Sequence, residues 1–179
     1  SKQAAGVLHS GYNPQSRPME EQLPIVSFGQ SNPLIDGRQS ERALMIQRGM
    51  MLHLEQTGHC ALCEFPLSSG RRADILAMDR KGMFTIIEIK SSVEDYRSDS
   101  KWPEYRAFCD RFAFATHTYV PADIFPEQEG LFIADQYGAH PMRDLVEEKM
   151  APAARKALTL RFARLAALRL ERVSKFSLS

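Results

Sequence analysis

Three charged residues in two apolar segments form the pattern with the clearest chemical meaning. Glu88 and Lys90 occupy alternate positions at the end of the apolar run 83–90, and Asp74 lies within the run 72–79. Runs of this length bounded by turn residues predict β-strands, in which alternate side chains project from the same face. Charged groups in such strands are costly to bury unless a partner satisfies them, so these three residues need a common explanation.

The turn between the two strands predicts how they pair. Residues 80–82 fit a three-residue hairpin loop, in which Gly82 takes the left-handed conformation that the last loop position requires. Counting back along both strands from this loop places Asp74 opposite Glu88, with Cβ atoms about 4.5–5.5 Å apart. A loop of two or four residues would instead put the two carboxylates on opposite faces.

Two facing carboxylates repel each other and favour a bound cation. Oxygen ligands without a neighbouring His or Cys suit Mg²⁺ or Mn²⁺. Such an ion activates water and stabilises charge on a phosphoryl group, and Lys90 would orient that water or neutralise the charge. Metal-assisted phosphodiester hydrolysis is therefore the chemistry we expect, and a structural Asp–Lys–Glu ion-pair cluster is the alternative.

The rest of the pattern predicts one α/β domain, with a mixed β-sheet flanked by helices, over residues 38–175. The spacing of apolar residues and the positions of turn residues indicate helices over 40–58, 103–109 and 153–172, with a helical turn from 92. They indicate strands over 60–67, 72–79, 83–90 and 112–116, and a hairpin of 131–134 with 139–143. Residues 1–37 contain four prolines and four glycines without a period, so we expect a flexible leader there.

Composition excludes several classes of protein. The chain has 179 residues, of which 44% are hydrophobic and 25% charged, as in ordinary globular domains. No apolar run approaches the ~18 residues of a membrane span, so we expect no membrane contact. Three cysteines are too few for a disulfide scaffold and predict a cytoplasmic protein, and Cys60 and Cys63 lack the second ligand pair of a structural zinc site.

The last helix carries the positive charge of the chain. Residues 151–179 have a net charge of +6, whereas the remainder has −5. On a helical wheel, one stripe is expected to point outward with its charged ends in solvent: Arg161, Arg164, Arg169 and Arg172. The opposite stripe is expected to face the core: Ala163, Ala166, Ala167 and Leu170. DNA phosphate contact, a dimer seam and a solvated helix face are all compatible with the basic stripe.

These residues resemble a known nuclease pattern. An Asp on one strand followed by Glu88-Ile89-Lys90 on the next resembles the PD-(D/E)XK superfamily, with Ala73 at the nominal proline. The segments GRRADILAMD, IIEIKSSVEDYRSD, KWPEYRAFCDRF, GLFIADQYGA and ARKALTLRFARLAA resemble the MmcB-like family of bacterial DNA repair endonucleases over residues 37–172. The resemblance implies a restriction-endonuclease-like α-β-β-β-α-β core with a long C-terminal helix. It also implies Asp74 and Glu88 as metal ligands, and Lys90 as the catalytic lysine.

Further candidates depend on this resemblance or on neighbouring positions. Glu41 opens the first helix, where related nucleases place a third metal-binding acid, although a solvated glutamate fits equally well there. Glu64 would flank the pair from the first strand. Ser91 would donate to a phosphate or cap the next turn. Lys101 and Tyr105 are four residues apart, so they are expected to share a helix face, either near the scissile phosphate or in a structural role.

The function we expect is Mg²⁺- or Mn²⁺-dependent DNA endonuclease activity in DNA repair or damage tolerance. DNA is the expected partner, and a homodimer is considered because nucleases that cut both strands often pair. A non-catalytic nucleic-acid-binding module on the same fold is the main alternative, and a protein-interaction scaffold is a third.

Overall fold

A six-stranded mixed sheet with helices on both faces makes up the described part of the chain. The computed structural model describes residues 41–177, so the leader predicted over residues 1–37 lies outside the described residues. The elements are α1 (Glu41–Gln56), β1 (Cys60–Pro66), β2 (Arg72–Met78), β3 (Phe84–Lys90), α2 (Val93–Ser98), a 3₁₀ helix (Trp102–Phe108), β4 (Arg111–Thr116), a 3₁₀ turn (Ala122–Ile124), β5 (Gly130–Ala134), β6 (Ala139–Arg143) and α3 (Pro152–Ser177). The α/β class and the mixed sheet predicted from the sequence are confirmed.

The strands lie in the order in which they occur along the chain, from β1 to β6. The pairs β1–β2, β2–β3 and β5–β6 are antiparallel, whereas β3–β4 and β4–β5 are parallel. A parallel pair requires a crossover connection, and α2 with the following 3₁₀ helix forms the one between β3 and β4. β3 is therefore a central strand, and all seven of its residues are buried.

The hairpin between β2 and β3 has the predicted register. Gly82 has φ +75°, the left-handed conformation expected of the last loop residue. The N–H of Asp79 donates to the carbonyl of Met83 at 3.0 Å, which closes the three-residue loop. Ile75 then pairs with Ile87, so the next residues along both strands are Asp74 and Glu88.

Each face of the sheet packs against different helices. On one face, α1 covers a cluster that includes Ile46, Met50, Ile87 and Ile89. On the other face, the 3₁₀ helix Trp102–Phe108 and α3 cover a larger cluster of leucine and aromatic side chains. Strand alternation puts Glu88 and Lys90 on this second face, since their neighbours Phe84 and Ile86 belong to its cluster.

The orientation predicted for α3 is wrong. Its buried side chains are Leu158, Phe162 and Leu165, and Phe162 contacts Phe65 and Phe84 at ring-centroid distances of 6.1 and 5.8 Å. Leu170 is 68% exposed, and the predicted inner alanines at 163 and 167 are also exposed. The large aromatic and leucine side chains decide which face is buried, because they remove more apolar area from water than alanines do.

The helices and strands begin and end within a few residues of the predicted positions, and the predicted hairpin near the C-terminus is present as the β5–β6 pair. Within residues 41–177, the structure contains no helix with the length and apolar character needed to cross a bilayer.

Candidate active site

Asp74 on β2 and Glu88 on β3 interlock where the hairpin ladder ends. The backbone N–H of Asp74 donates to Oε1 of Glu88 at 3.2 Å, and the backbone N–H of Ile89 donates to Oδ2 of Asp74 at 2.8 Å. Each carboxylate thus accepts a backbone hydrogen that a regular ladder would direct to a carbonyl oxygen. These exchanged hydrogen bonds hold Asp74 and Glu88, hereafter the acidic pair, side by side.

The carboxylates of the acidic pair have few hydrogen-bond partners and raised pKa values. Within the described residues, the second oxygen of each carboxylate accepts no hydrogen bond. Burial raises the pKa of Asp74 to about 6, against the hydrogen bond from Ile89, which lowers it. Burial, followed by the charge of Asp74, raises the pKa of Glu88 well above its ordinary value. Two desolvated, facing carboxylates favour a proton or a cation between them.

Lys90 lies at the end of β3 with its ammonium group buried. Its Nζ donates to Oδ2 of Asp99 at 2.6 Å, and only 6% of the lysine side chain is exposed. Burial alone would lower the pKa of Lys90, but the hydrogen bond and charge of Asp99 raise it above its ordinary value. Lys90 is thus held in its charged form beside Glu88. Asp99 was not predicted from the sequence, because it reaches Lys90 only where α2 turns the chain back towards the strand.

Ser91 and Ser92 form the N-terminal cap of α2. The hydroxyl of Ser92 accepts the N–H of Asp95 at 3.1 Å. In return, the carboxylate of Asp95 accepts the N–H of Ser91 at 2.9 Å and its hydroxyl at 3.2 Å. This reciprocal capping fixes the chain directly after Lys90 and supports the capping alternative for Ser91.

The expectation that Lys101 and Tyr105 share a helix face is wrong. Residues Trp102–Phe108 form a 3₁₀ helix, in which residues three apart, not four, are aligned. Lys101 is exposed, whereas the Tyr105 ring is buried and its hydroxyl donates to the carbonyl of Arg72 at 3.1 Å. Burial and the acidic pair raise the pKa of Tyr105, so its hydroxyl remains protonated near the site.

Among the described residues, neither additional acid completes a three-acid group with the acidic pair, but Glu64 lies close enough for its charge to add to burial in raising the pKa of Asp74. Glu41 is exposed in the first turn of α1. Glu64 follows Cys63 on β1 in a left-handed conformation with φ +51°, and its carboxylate forms an ion pair with Arg72. No group of three or more His, Cys, Asp or Glu side chains that could hold a metal is present among residues 41–177. The proposed set of ligands from this chain is therefore two carboxylates.

The arginines of α3 have two different environments. Arg169 points inward, because its guanidinium donates to the carbonyls of Cys63 and Glu64 at 2.7 and 3.2 Å. The prediction that Arg169 points outward in the basic stripe is wrong. Its two hydrogen bonds link α3 to β1 at the left-handed residue Glu64. The others line an open groove of about 650 Å³ with Leu67 and Phe108: Arg161, Arg164 and Arg172.

The residues present fit a hard divalent cation. Mg²⁺ is commonly bound through one or two carboxylates and several waters, without a complete set of protein ligands. The acidic pair offers two oxygens that accept no hydrogen bond within the described residues, and the positive charge beside it belongs to Lys90, which Asp99 already holds. The donor set contains oxygen only, which disfavours zinc and favours Mg²⁺ or Mn²⁺.

Comparisons with known proteins identify one family and one similar solved structure. A model of the family described as "DNA repair protein MmcB-like" matches residues 30–176. A solved structure of a protein of unknown function from Silicibacter pomeroyi is 38% identical, with a TM-score of 0.72, and the match covers 75% of this chain and 92% of that one. No curated protein matches the chain. On the breadth of the family match, this chain belongs to the MmcB-like family of DNA repair proteins.

Proposed function

We propose that this chain is a metal-dependent DNA endonuclease with a PD-(D/E)XK site on a restriction-endonuclease-like core. The observation that carries the proposal is the acidic pair, two desolvated carboxylates with raised pKa values. The buried, charged Lys90 follows Glu88 two residues later on the same face of β3. Membership of a DNA repair family supports DNA as the substrate.

The acidic pair would hold Mg²⁺ or Mn²⁺ through the oxygens that accept no backbone hydrogen. Lewis-acid activation of water and of a phosphoryl group is the chemistry that such an ion supplies when bound. β2 and β3 supply the rigidity, because each carboxylate is fixed by an N–H of the opposite strand. Preorganised ligands of this kind need no rearrangement when charge develops in the transition state.

Lys90 would neutralise charge that develops on the phosphate or orient the attacking water. Asp99 keeps its ammonium group protonated and limits its movement. A charged donor in a site from which water is largely excluded interacts more strongly with an anion than it would in bulk water.

DNA would be held through its backbone by groups around the site. Lys101 is exposed beside the 3₁₀ helix. Ser91 is omitted, because Asp95 accepts both its N–H and its hydroxyl. Arg161, Arg164 and Arg172 line the groove on the same face of the sheet as the acidic pair, so we assign phosphate contact to them. Tyr105 and Arg169 are omitted, because their polar groups are engaged by backbone carbonyls.

A non-catalytic DNA-binding module is the second candidate function. It is favoured by one observation: no third His, Cys, Asp or Glu joins the acidic pair within the described residues. Such a module would bind DNA in a salt-dependent way but would show no metal-dependent turnover.

Cleavage assays test the proposal. Branched, nicked, single-stranded and duplex DNA are incubated with the protein and Mg²⁺ or Mn²⁺, and Asp74→Asn, Glu88→Gln and Lys90→Ala are compared with wild type. Glu104→Gln is the matched control, since it neutralises a half-exposed acid that pairs with Arg71 away from the acidic pair. We expect metal-dependent cleavage that falls at least ~100-fold in the three site variants and not in the control. Metal-dependent cleavage that persists undiminished in the site variants contradicts the assigned roles.

A further inference from the structure

A second cleft lies at the edge of the sheet where the parallel strands β3 and β4 end. It has a volume of about 590 Å³, and its lining includes the apolar side chain of Met45. The polar and aromatic lining residues are His117, Tyr119, Ser91, Ser92, Arg42 and Glu41. We call it the aromatic cleft. The catalytic proposal assigns no role to its rings.

The aromatic cleft presents an exposed ring to solvent. Tyr119 is 78% exposed although its ring stacks on His117, with centroids 4.8 Å apart and planes inclined by 29°. The guanidinium carbon of Arg42 lies 5.9 Å from the centroid of Tyr119, at the outer limit of a cation–π contact. These neighbours orient the ring and leave most of its surface available for stacking.

The chain topology places the aromatic cleft at the end of the strand that carries the proposed catalytic lysine, although the Lys90 side chain projects from the face of the sheet opposite α1. Lys90 and Thr116 are paired at the ends of β3 and β4, and the Thr116 hydroxyl donates to the Lys90 carbonyl at 2.6 Å. Ser91 and His117 therefore leave the sheet side by side, on neighbouring strands about 4.8 Å apart. The aromatic cleft, lined by α1, and the side chains of the acidic pair lie on opposite faces of the sheet, so a DNA strand must pass over this edge to contact both.

We propose that the aromatic cleft binds an unpaired nucleobase of the DNA strand that enters the active site, stacked on the Tyr119–His117 pair. The inference rests on the proposed function and narrows its substrate class to DNA with unpaired nucleotides, such as forks, flaps and single strands. A base within an intact duplex is already stacked and cannot enter the cleft without being extruded.

The lining fits a base better than a phosphate or an acidic peptide. Arg42 and Glu41 bring opposite charges, so the cleft has no excess of positive charge to attract an anion. An aromatic face accepts any base by stacking. The Glu41 carboxylate and the Arg42 N–H groups other than the one that donates to the Ser91 carbonyl can bond to the edges of the base.

Binding measurements on the full chain test this inference. Fluorescence anisotropy is recorded with a forked DNA and with a duplex of the same sequence, with Ca²⁺ in place of Mg²⁺. The variants are Tyr119→Ala and Tyr119→Phe. Tyr137→Ala is the matched control, because Tyr137 is 79% exposed in the β5–β6 turn and lies outside the cleft.

We expect wild type to bind the fork more tightly than the duplex. Loss of one base–ring stack predicts that Tyr119→Ala weakens fork binding about 5- to 150-fold and duplex binding much less. Tyr119→Phe and Tyr137→Ala should stay within about twofold of wild type, since stacking needs the ring and not the hydroxyl.

Two results would overturn the inference while the proposed function stands: equal binding of fork and duplex by wild type, or unchanged fork binding by Tyr119→Ala, each with cleavage that still depends on Asp74. Absence of both DNA binding and cleavage in wild type would overturn the proposed function as well. Thermal unfolding of each variant shows whether a loss of binding reflects a loss of fold.

Discussion

Two acidic sites at the central strands, Asp110 and the partly exposed acidic pair, have opposite electrostatic character. Asp110, just before β4, has no exposed surface and accepts four hydrogen bonds through its carboxylate. Two come from the guanidinium of Arg155 at 2.5 and 2.7 Å, and two from the N–H groups of Phe84 and Met150 at 2.7 and 2.9 Å. In the acidic pair, each carboxylate accepts a single backbone hydrogen.

The pKa directions follow this difference. Burial alone would raise the pKa of Asp110, but Arg155 and the two backbone N–H groups lower it below its ordinary value. Burial raises the pKa of both members of the acidic pair, and no cation of comparable quality opposes it. The fold completes the coordination of the structural carboxylate and leaves the other two short of partners, which is what a site for an external cation requires.

The largest expected effect is on stability at the satisfied site. Asp110→Asn removes the charge that pairs with Arg155 and weakens the link between the start of α3 and the central strands. We expect a loss of about 2–4 kcal/mol in the free energy of unfolding, because one partner of a buried ion pair remains. Denaturant unfolding measures it, and a loss below about 1 kcal/mol would show that Asp110 is not a structural anchor.

Neutralising one member of the acidic pair should raise the free energy of unfolding, in contrast to Asp110→Asn. Asp74→Asn removes the repulsion from Glu88 and keeps an oxygen that can accept the N–H of Ile89. Without metal at pH 7.5, we expect a gain of about 1–3 kcal/mol in unfolding free energy, since one pKa unit corresponds to about 1.4 kcal/mol. The same unfolding experiment serves as the readout. A destabilised Asp74→Asn would indicate that the pair is a structural ion cluster.

A smaller effect is the pH dependence of that gain. The pKa of Asp74 is about 6 in the folded protein and near 3.8 in the unfolded chain, so the folded state binds the proton more tightly. Wild type therefore loses stability as the pH rises through this range, and keeps it at lower pH.

The gain in unfolding free energy of Asp74→Asn over wild type should therefore be complete above pH 6 and should fall towards zero near pH 4. Acids with lowered pKa values, such as Asp110, lose their contribution at low pH in both proteins, so they cancel in the difference. A difference that stays constant from pH 4 to pH 7.5 would contradict the assigned pKa shift.

Local rules predicted the hairpin that carries the acidic pair, whereas long-range packing decided the rest of the site. A single left-handed glycine sets the loop length, and strand alternation then places Asp74 and Glu88 together. No local pattern indicates that Asp99 would return to Lys90, because the contact depends on the path of α2.

The face of α3 was predicted wrongly for a related reason. Its arginines and its alanines fall on opposite sides of a helical wheel, and this pattern assigned the alanines to the core. In the fold, Phe162 and Leu165 fill the space above the sheet, and Arg169 is drawn inward by two carbonyl oxygens at the strained end of β1. Carbonyl groups freed by a left-handed glutamate cannot be foreseen from helical periodicity.

Mn²⁺ titration of the metal-free protein, followed by electron paramagnetic resonance at pH 7.5, tests the central claim most directly. Wild type should bind Mn²⁺ at a site that Asp74→Asn and Glu88→Gln both abolish, whereas Asp110→Asn, if folded, retains it. Equal Mn²⁺ binding by wild type and both site variants, or no binding by wild type, would contradict the assignment of the acidic pair as a metal site.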